Sequence, residues 1–222
     1  MPPPLIEVEG RSIEPRSVTA EVAIQTEQWV PRKPSRLSRI LGFAKWGEWR
    51  YGPKYAHAAL NVEIDVDEQS GADCALFPYL RLIFEPGEWR GDSFEALAGR
   101  RFVEGADAVR FEAFYGNDAP GFDDNRVRFE ASPEPGQLLL DWSARFRWRK
   151  SDPLETFSFR GPVRIERLWI GLKRDEDLES MIAATMPGFD LETLQPPVIT
   201  DQTYEAPMRK GRRHWRRFSF PA

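Results

Sequence analysis

The sequence predicts an antiparallel, mainly β domain built from two packed sheets, on three observations. Apolar and polar residues alternate with a period of two in one segment after another, turns rich in Pro and Gly separate those segments, and aromatic residues are abundant, with 8 Trp and 15 Phe in 222 residues. Half-buried antiparallel strands produce this alternation because successive side chains point to opposite sides of the pleat. A hydrophobic content of 41% is enough for a sizeable core in one domain spanning residues 1–222. The aromatic share of 13% must then sit either in that core or on a binding surface.

Taken in order, the first strand falls in 18–30, where Val18, Ala20, Val22 and Ile24 share a face opposite Thr19, Glu21 and Gln25. In 60–67, Leu60, Val62, Ile64 and Val66 alternate with Asn61, Glu63, Asp65 and Asp67. Strands follow at 76–84, 108–115 and 126–131. In 142–149, Trp142, Ala144, Phe146 and Trp148 alternate with Ser143, Arg145, Arg147 and Arg149. A strand at 156–159 is separated by the turn residues Arg160-Gly161-Pro162 from another at 163–172, which is apolar on both faces around Leu168, Trp169 and Ile170.

A helix is expected over 175–186. Leu178, Met181, Ile182 and Thr185 form its stripe, Glu176, Asp177 and Glu179 suit its positive end, and Pro187-Gly188 stops it. A shorter one is expected at 35–41. The segment 188–207 has little regular pattern and contains Pro196-Pro197, which predicts an extended C-terminal stretch, 188–222, wrapping or docking on the domain. Val-Arg-Phe-Glu-Ala occurs at 109–113 and again at 127–131, as expected for two arms of a hairpin. Within the sandwich class the irregular segments suit a jelly-roll-like arrangement, with a lipocalin-like β-barrel as the alternative.

Lys plus Arg number 31 and Asp plus Glu 35, so the net charge of -4 gives no whole-chain attraction to a polyanion. Cys74 is the single cysteine and cannot form an intrachain disulfide. With His57 and His214 it supplies too few soft ligands for an ordinary zinc site. No cofactor is expected, since neither phosphate-cradling glycine motif is present. The start, Met1-Pro2-Pro3-Pro4, lacks a basic and apolar leader, and no apolar run reaches membrane-spanning length. The expectation is a soluble cytoplasmic protein with no membrane span.

Glu63-x-Asp65-x-x-Glu68 resembles the active-site strand of the laminarinase and lichenase group of retaining β-glucanases, which are jelly-roll domains. That resemblance implies Glu63 as nucleophile, Asp65 as its helper and Glu68 as acid and base. On a regular strand Glu63 and Asp65 share a face while Glu68 points away, so a bulge near Asp67 is required to bring the carboxyls together. The structural alternative is an acidic strand face lying beside the basic face Arg145-x-Arg147-x-Arg149.

The loop 116–125 concentrates Asn117, Asp118, Asp123, Asp124 and Asn125, but its order is not that of a calcium loop and suits a hairpin connection, so no metal site is expected. The stretch 209–220 holds Arg209, Lys210, Arg212, Arg213, Arg216 and Arg217 and no acid, leaving 25 basic against 35 acidic residues elsewhere. This tail reads as a final strand or arm drawn back to an acidic body, with nucleic-acid or assembly contact as the weaker alternative. Aromatics in Gly-bounded segments are harder to explain as core than strand aromatics. Trp46, Trp49, Arg50 and Tyr51, with Trp89 and Arg90, therefore form the expected binding surface. The leading expectation is a non-enzymatic binding or interaction protein using that surface for a small-molecule, carbohydrate or protein ligand. A carbohydrate-active hydrolase is second.

Overall fold

Strand alternation becomes strand pairing across the chain. The computed structural model describes residues 3–25, 29–31, 49–51, 56–66, 78–106, 109–115, 122–147, 152–172, 177–206 and 209–219, and of 25, 29–31, 49–51, 114–115, 200–206 and 209–215 it describes the backbone. The strands are β1 (Leu5–Val8), β2 (Arg11–Ile13), β3 (Ser17–Gln25), β4 (Trp29–Pro31), β5 (Trp49–Tyr51), β6 (His57–Asp65) and β7 (Pro78–Phe84). They continue with β8 (Arg101–Val103), β9 (Val109–Tyr115), β10 (Asp123–Ala131), β11 (Gln137–Phe146), β12 (Glu155–Leu172), β13 (Val198–Ala206) and β14 (Arg209–Ser219). One α-helix among the described residues, α1 (Leu178–Thr185), and two 3-10 turns, Phe94–Leu97 and Leu191–Thr193, complete them.

Twelve of these strands form one sheet, ordered β8-β10-β11-β12-β3-β6-β7-β9, with the β1-β2 and β14-β13 pairs also attached to β12, while β4 and β5 pair with each other. The last strand of that order, β9, comes back to the start of β10, the second. Phe122, just before β10, donates its backbone N–H to Ala113 O of β9 at 3.1 Å. The sheet is therefore wrapped into a nearly closed barrel. The mainly β expectation holds, and the barrel alternative is the closer description of it. Every described pairing in the sheet is antiparallel except β12 with β3, which is parallel, so the sheet is mixed where an antiparallel one was expected.

The long strand β12 makes closure possible. Its first half pairs with β11 from Glu155 to Arg164 and with β1 from Phe157 to Arg160. Its second half pairs with β3 and with β14. Inward residues change parity between the halves: Phe157, Phe159, Val163 and Ile165 are buried, then Leu168, Ile170 and Leu172. The switch falls at Glu166 and Arg167, which are both exposed, where the register with β3 shifts. Such an irregularity bends a strand and re-aims its side chains, so both halves point into one core.

That core takes most of the described aromatics. Trp89, Trp142, Phe84, Phe129, Phe146, Phe157 and Phe159 are fully buried, each worth roughly 1.5–3 kcal/mol as area removed from water. Trp142 needs a partner for its indole N–H, and Asn125, itself buried, supplies one: Nε1 donates to Oδ1 at 2.9 Å. Asn125 Nδ2 donates in turn to Glu104 Oε2 and to Phe122 O, both at 2.9 Å. One amide thus ties β10, β11 and the turn after β8.

Several expectations are corrected. Arg160-Gly161-Pro162 does not break the strand. Pro162 lies opposite Leu139 and Gly161 opposite Leu140 within an unbroken ladder. Gly161 is there for closeness: a Cβ on it would stand 2.7 Å from Pro4 Cβ, so its bare backbone is what admits the segment entering β1. Within the extended stretch 188–222, β13 pairs with β14 and β14 with β12, so regular strands occupy a segment whose sequence has little regular pattern. The two Val-Arg-Phe-Glu-Ala arms do not pair, since β9 pairs with β7 and β10 with β11 and β8. Nor do the acidic and basic strand faces lie side by side, for β6 is flanked by β3 and β7 and β11 by β10 and β12. The helix stands inside its expected range, with Asp177 Oδ2 accepting from Ser180 N at 2.9 Å. The expected helix at 35–41 lies outside the described residues.

Two substitutions test this account. Asn125→Leu should lower the unfolding free energy by about 3 kcal/mol in a urea titration, because the Trp142 indole and the Phe122 carbonyl lose buried partners. Gly161→Ala should lower it by roughly 1–3 kcal/mol, the usual range for overpacking, and a stabilised variant would contradict the close approach of Pro4.

Candidate functional site

Where β12 turns from one half of the sheet to the other, the barrel is covered by loops, and a cleft of about 440 Å³ opens there. Strand alternation supplies its floor, with Leu138 from β11 and Val163 and Ile165 from β12. One wall is the turn before β11, in which Ser132 Oγ accepts from Glu134 N at 3.1 Å and Pro135 and Gly136 face the cleft. The opposite wall is the 3-10 turn at Phe94. That turn depends on Gly91, which has φ +130, and a Cβ there would collide with Ala96.

Phe189 completes the wall. Its neighbour Asp190 donates its backbone N–H to Asp92 O at 3.2 Å, which fastens the segment after α1 to the loop before the 3-10 turn. The rings form a continuous ladder from core to cleft: Phe84 to Trp89 at 5.0 Å, Trp89 to Phe94 at 5.5 Å and Phe94 to Phe189 at 4.9 Å. The lip carries Ser93, Glu95, Arg164 and Thr193. A cavity of this size, apolar inside with few polar groups at its edge, has the form of a small-molecule site at the mouth of a barrel.

Of the expected binding surface, the described side chains are those of Trp89 and Arg90, and neither lines the cleft. Trp89 is fully buried and supports Phe94 from behind, while Arg90 is exposed and does not line the cleft. Trp49, Arg50 and Tyr51 form β5, paired with β4, and their side chains lie outside the described residues, as does Trp46. Glu63 and Asp65 sit on the outer face of β6, Glu63 exposed and Asp65 half-buried. The ladder between β3 and β6 runs unbroken to Asp65, and Glu68 and the position of the required bulge lie outside the described residues. Of the basic tail, Arg216 and Arg217 are described and half-buried, with Arg217 5.7 Å from the Trp169 ring centre. Arg209, Lys210, Arg212 and Arg213 contribute backbone pairing in β14.

The outer face of β6 and its neighbours carries a polar row instead. Asn61 lies opposite Glu21 on one side and Arg81 on the other, and Arg81 lies opposite Glu112. Arg81 Nη1 donates to Glu112 Oε2 at 3.3 Å, Trp169 Nε1 to Glu21 Oε2 at 2.8 Å, and Tyr79 OH to Asn61 Oδ1 at 2.9 Å. Burial pushes the Tyr79 phenol up to about 12, against the opposing pull of Arg81. His57 is buried in β6, as a strand residue. In the loop 116–125, the described Asn125 is committed to Trp142 and Glu104, and no group of metal-ligating side chains occurs among the described residues.

Sequence reasoning missed the cleft because its floor is made of ordinary inward strand residues. The available signal was the pair of stops, Pro135-Gly136 and Pro187-Gly188, followed within two residues by Leu138 and Phe189. Comparison with known protein families, curated proteins and solved structures finds no match.

Tyr79 gives a pH test. An exposed phenol ionises near 10, so between that value and about 12 the unfolded chain loses its Tyr79 proton while the folded chain keeps it. The stabilising contribution is whole below the lower value and is lost as pH rises through the upper one. In an ultraviolet titration, Tyr79→Phe should remove a phenolate component with a midpoint of about 12 and leave the others unchanged.

Proposed function

We propose that this chain is a non-enzymatic binding protein whose cleft takes a small molecule with an apolar body and a polar end. The observation that carries the reading is the convergence of Phe94, Leu138, Val163, Ile165 and Phe189 on one cavity open at its lip. These side chains are buried, so a ligand that reached them would leave water for an apolar surface, the main source of affinity for such sites. The lip offers a guanidinium, a carboxylate and two hydroxyls within one edge, which suits a polar end that both donates and accepts hydrogen bonds.

The same lining argues for binding over catalysis. Among the described residues it contains one carboxylate, Glu95, and no imidazole or thiol. General acid and base work needs a second titratable group in reach of the first, and the paired carboxyls of a glycosidase are not in this lining.

The test is fluorescence of the neutral amphiphilic dye N-phenylnaphthylamine with the full chain. An emission increase is expected. Thr193→Trp places a large side chain at the exposed lip without touching the core and should abolish the increase, while thermal unfolding stays cooperative. Equal enhancement in both proteins would refute the assignment. Arg164→Gln should leave binding of this neutral dye unchanged and weaken a carboxylate-bearing analogue about tenfold, the factor expected for one charge-assisted hydrogen bond.

A further inference from the structure

The outward side chains of β8, β10 and β11 form a second concavity, away from the cleft. A groove of about 310 Å³ is lined by Arg101, Val103, Arg126, Val127, Arg128, Asp141 and Ser143. We propose that it is a binding site for a compact phosphoryl anion, a diphosphate group carried by a small molecule.

Register brings the guanidinium groups together. Arg101 lies directly opposite Arg128, and Arg126 stands two residues from Arg128 on the same face of β10. Neighbouring strands are about 4.8 Å apart and residues two apart on a strand about 7 Å, so the three stems rise from one small triangle. Directly opposed like charges destabilise a sheet. The fold gains nothing evident from this pair, because packing is done by the inward residues Phe102, Val127 and Phe129. Charge that opposes folding and sits in a groove is the mark of a functional position.

Of the acids nearby, Glu130 is engaged by two arginines and Asp141 lines the groove itself. Arg128 Nη2 lies 3.1 Å from Glu130 Oε1, and Arg160 Nη2 lies 4.0 Å from Glu130 Oε2. Asp141 stands opposite both Arg128 and Arg160. Four guanidinium groups thus share two carboxylates, and Arg101 and Arg126, both exposed, make no ion pair among the described residues. Arg126 has Val103 and Ser143 as its lateral neighbours, so its fork is open to a ligand, with a serine hydroxyl beside it.

A guanidinium fork matches two phosphate oxygens at once, which makes clustered arginine a phosphate-binding arrangement. Compactness follows from the surroundings. Glu130 and Asp141 interrupt the positive surface on two sides, so it offers no continuous track for a polymer backbone. Among the described residues no aromatic side chain lines the groove, and stacking is what a base-binding surface requires.

The experiment is calorimetric titration of the full chain with inorganic pyrophosphate at low salt. Binding is expected, weakened about tenfold by Arg126→Gln and by Arg101→Gln, with the thermal midpoint kept by Arg126→Gln and kept or slightly raised by Arg101→Gln, which relieves the opposition to Arg128. Arg164→Gln, at the cleft, should bind pyrophosphate as the parent does, and Arg126→Gln should retain dye binding, so failure of either site is seen separately. Absence of pyrophosphate binding at millimolar concentration overturns the proposal, as does equal affinity in the parent and both arginine variants. An oligothymidylate that binds more tightly than pyrophosphate through the same arginines overturns the assignment to a compact anion.

Discussion

Everything in this barrel depends on β12 being able to serve two halves of the sheet. A strand of 18 residues that kept one parity would bury its second half on the wrong side of the pleat, since a slip of one residue exchanges the two faces. Glu166 and Arg167 absorb that slip by both facing water. Phe157 and Phe159 can then share a core with Leu168 and Ile170. The change of partner at the same place, from β11 to the parallel β3, turns the sheet round. The cleft lies at this corner because the loops that cover it, rather than strands, must fill the space where the pairing changes.

Polar groups inside such a closed surface have to be answered locally. Asn125 does this for the end of the barrel near β8, where a single side chain satisfies Trp142, Phe122 and Glu104. On the outer face of the other half, the row Glu21, Asn61, Arg81 and Glu112 pairs polar groups across four strands. Cross-strand polar pairs of this kind contribute little energy each, about 0.2–1 kcal/mol. Their larger effect is on register, because each is lost if its strand slides by one residue. Neither arrangement faces the cleft, which leaves the cleft floor free of groups that a ligand would have to compete with.

How much of this was legible in the sequence depends on the range of the interaction. The alternation of Val18 to Ile24, Leu60 to Ile64 and Trp142 to Phe146 located strands correctly, because inward and outward facing is decided residue by residue. Asp177 and the stripe Met181, Ile182 and Thr185 located α1 for the same reason. Arg160-Gly161-Pro162 misled, since a turn and a strand crossed closely by another segment can both call for Gly and Pro, and only the position of Pro4 distinguishes them. Partner choice was not readable at all. The acidic face of β6 and the basic face of β11 looked complementary, yet charge pattern has no knowledge of which strands the chain makes neighbours. Trp89 looked exposed because it follows a Pro-Gly turn, but the loop folds inward and the ring continues the ladder from Phe84 to Phe94.

The outward surface is where sequence and stability part company. Inward positions of β10 and β11 are held by packing, so Val127, Phe129, Leu138 and Leu140 are explained as soon as the barrel is described. Outward positions on the same strands are constrained weakly, and a stable protein would fill them with alternating charges. Around Arg160, Asp141 and Glu130 it does so. One strand further, Arg101 opposes Arg128 and Arg126 faces a valine and a serine, a choice that folding does not reward. The same strands thus present an apolar lining inward, at Leu138, and a cationic one outward, at Arg126 and Arg128. Two ligands of opposite character, one drawn by burial and the other by charge, are compatible with a single sheet because its faces are chemically independent at every residue.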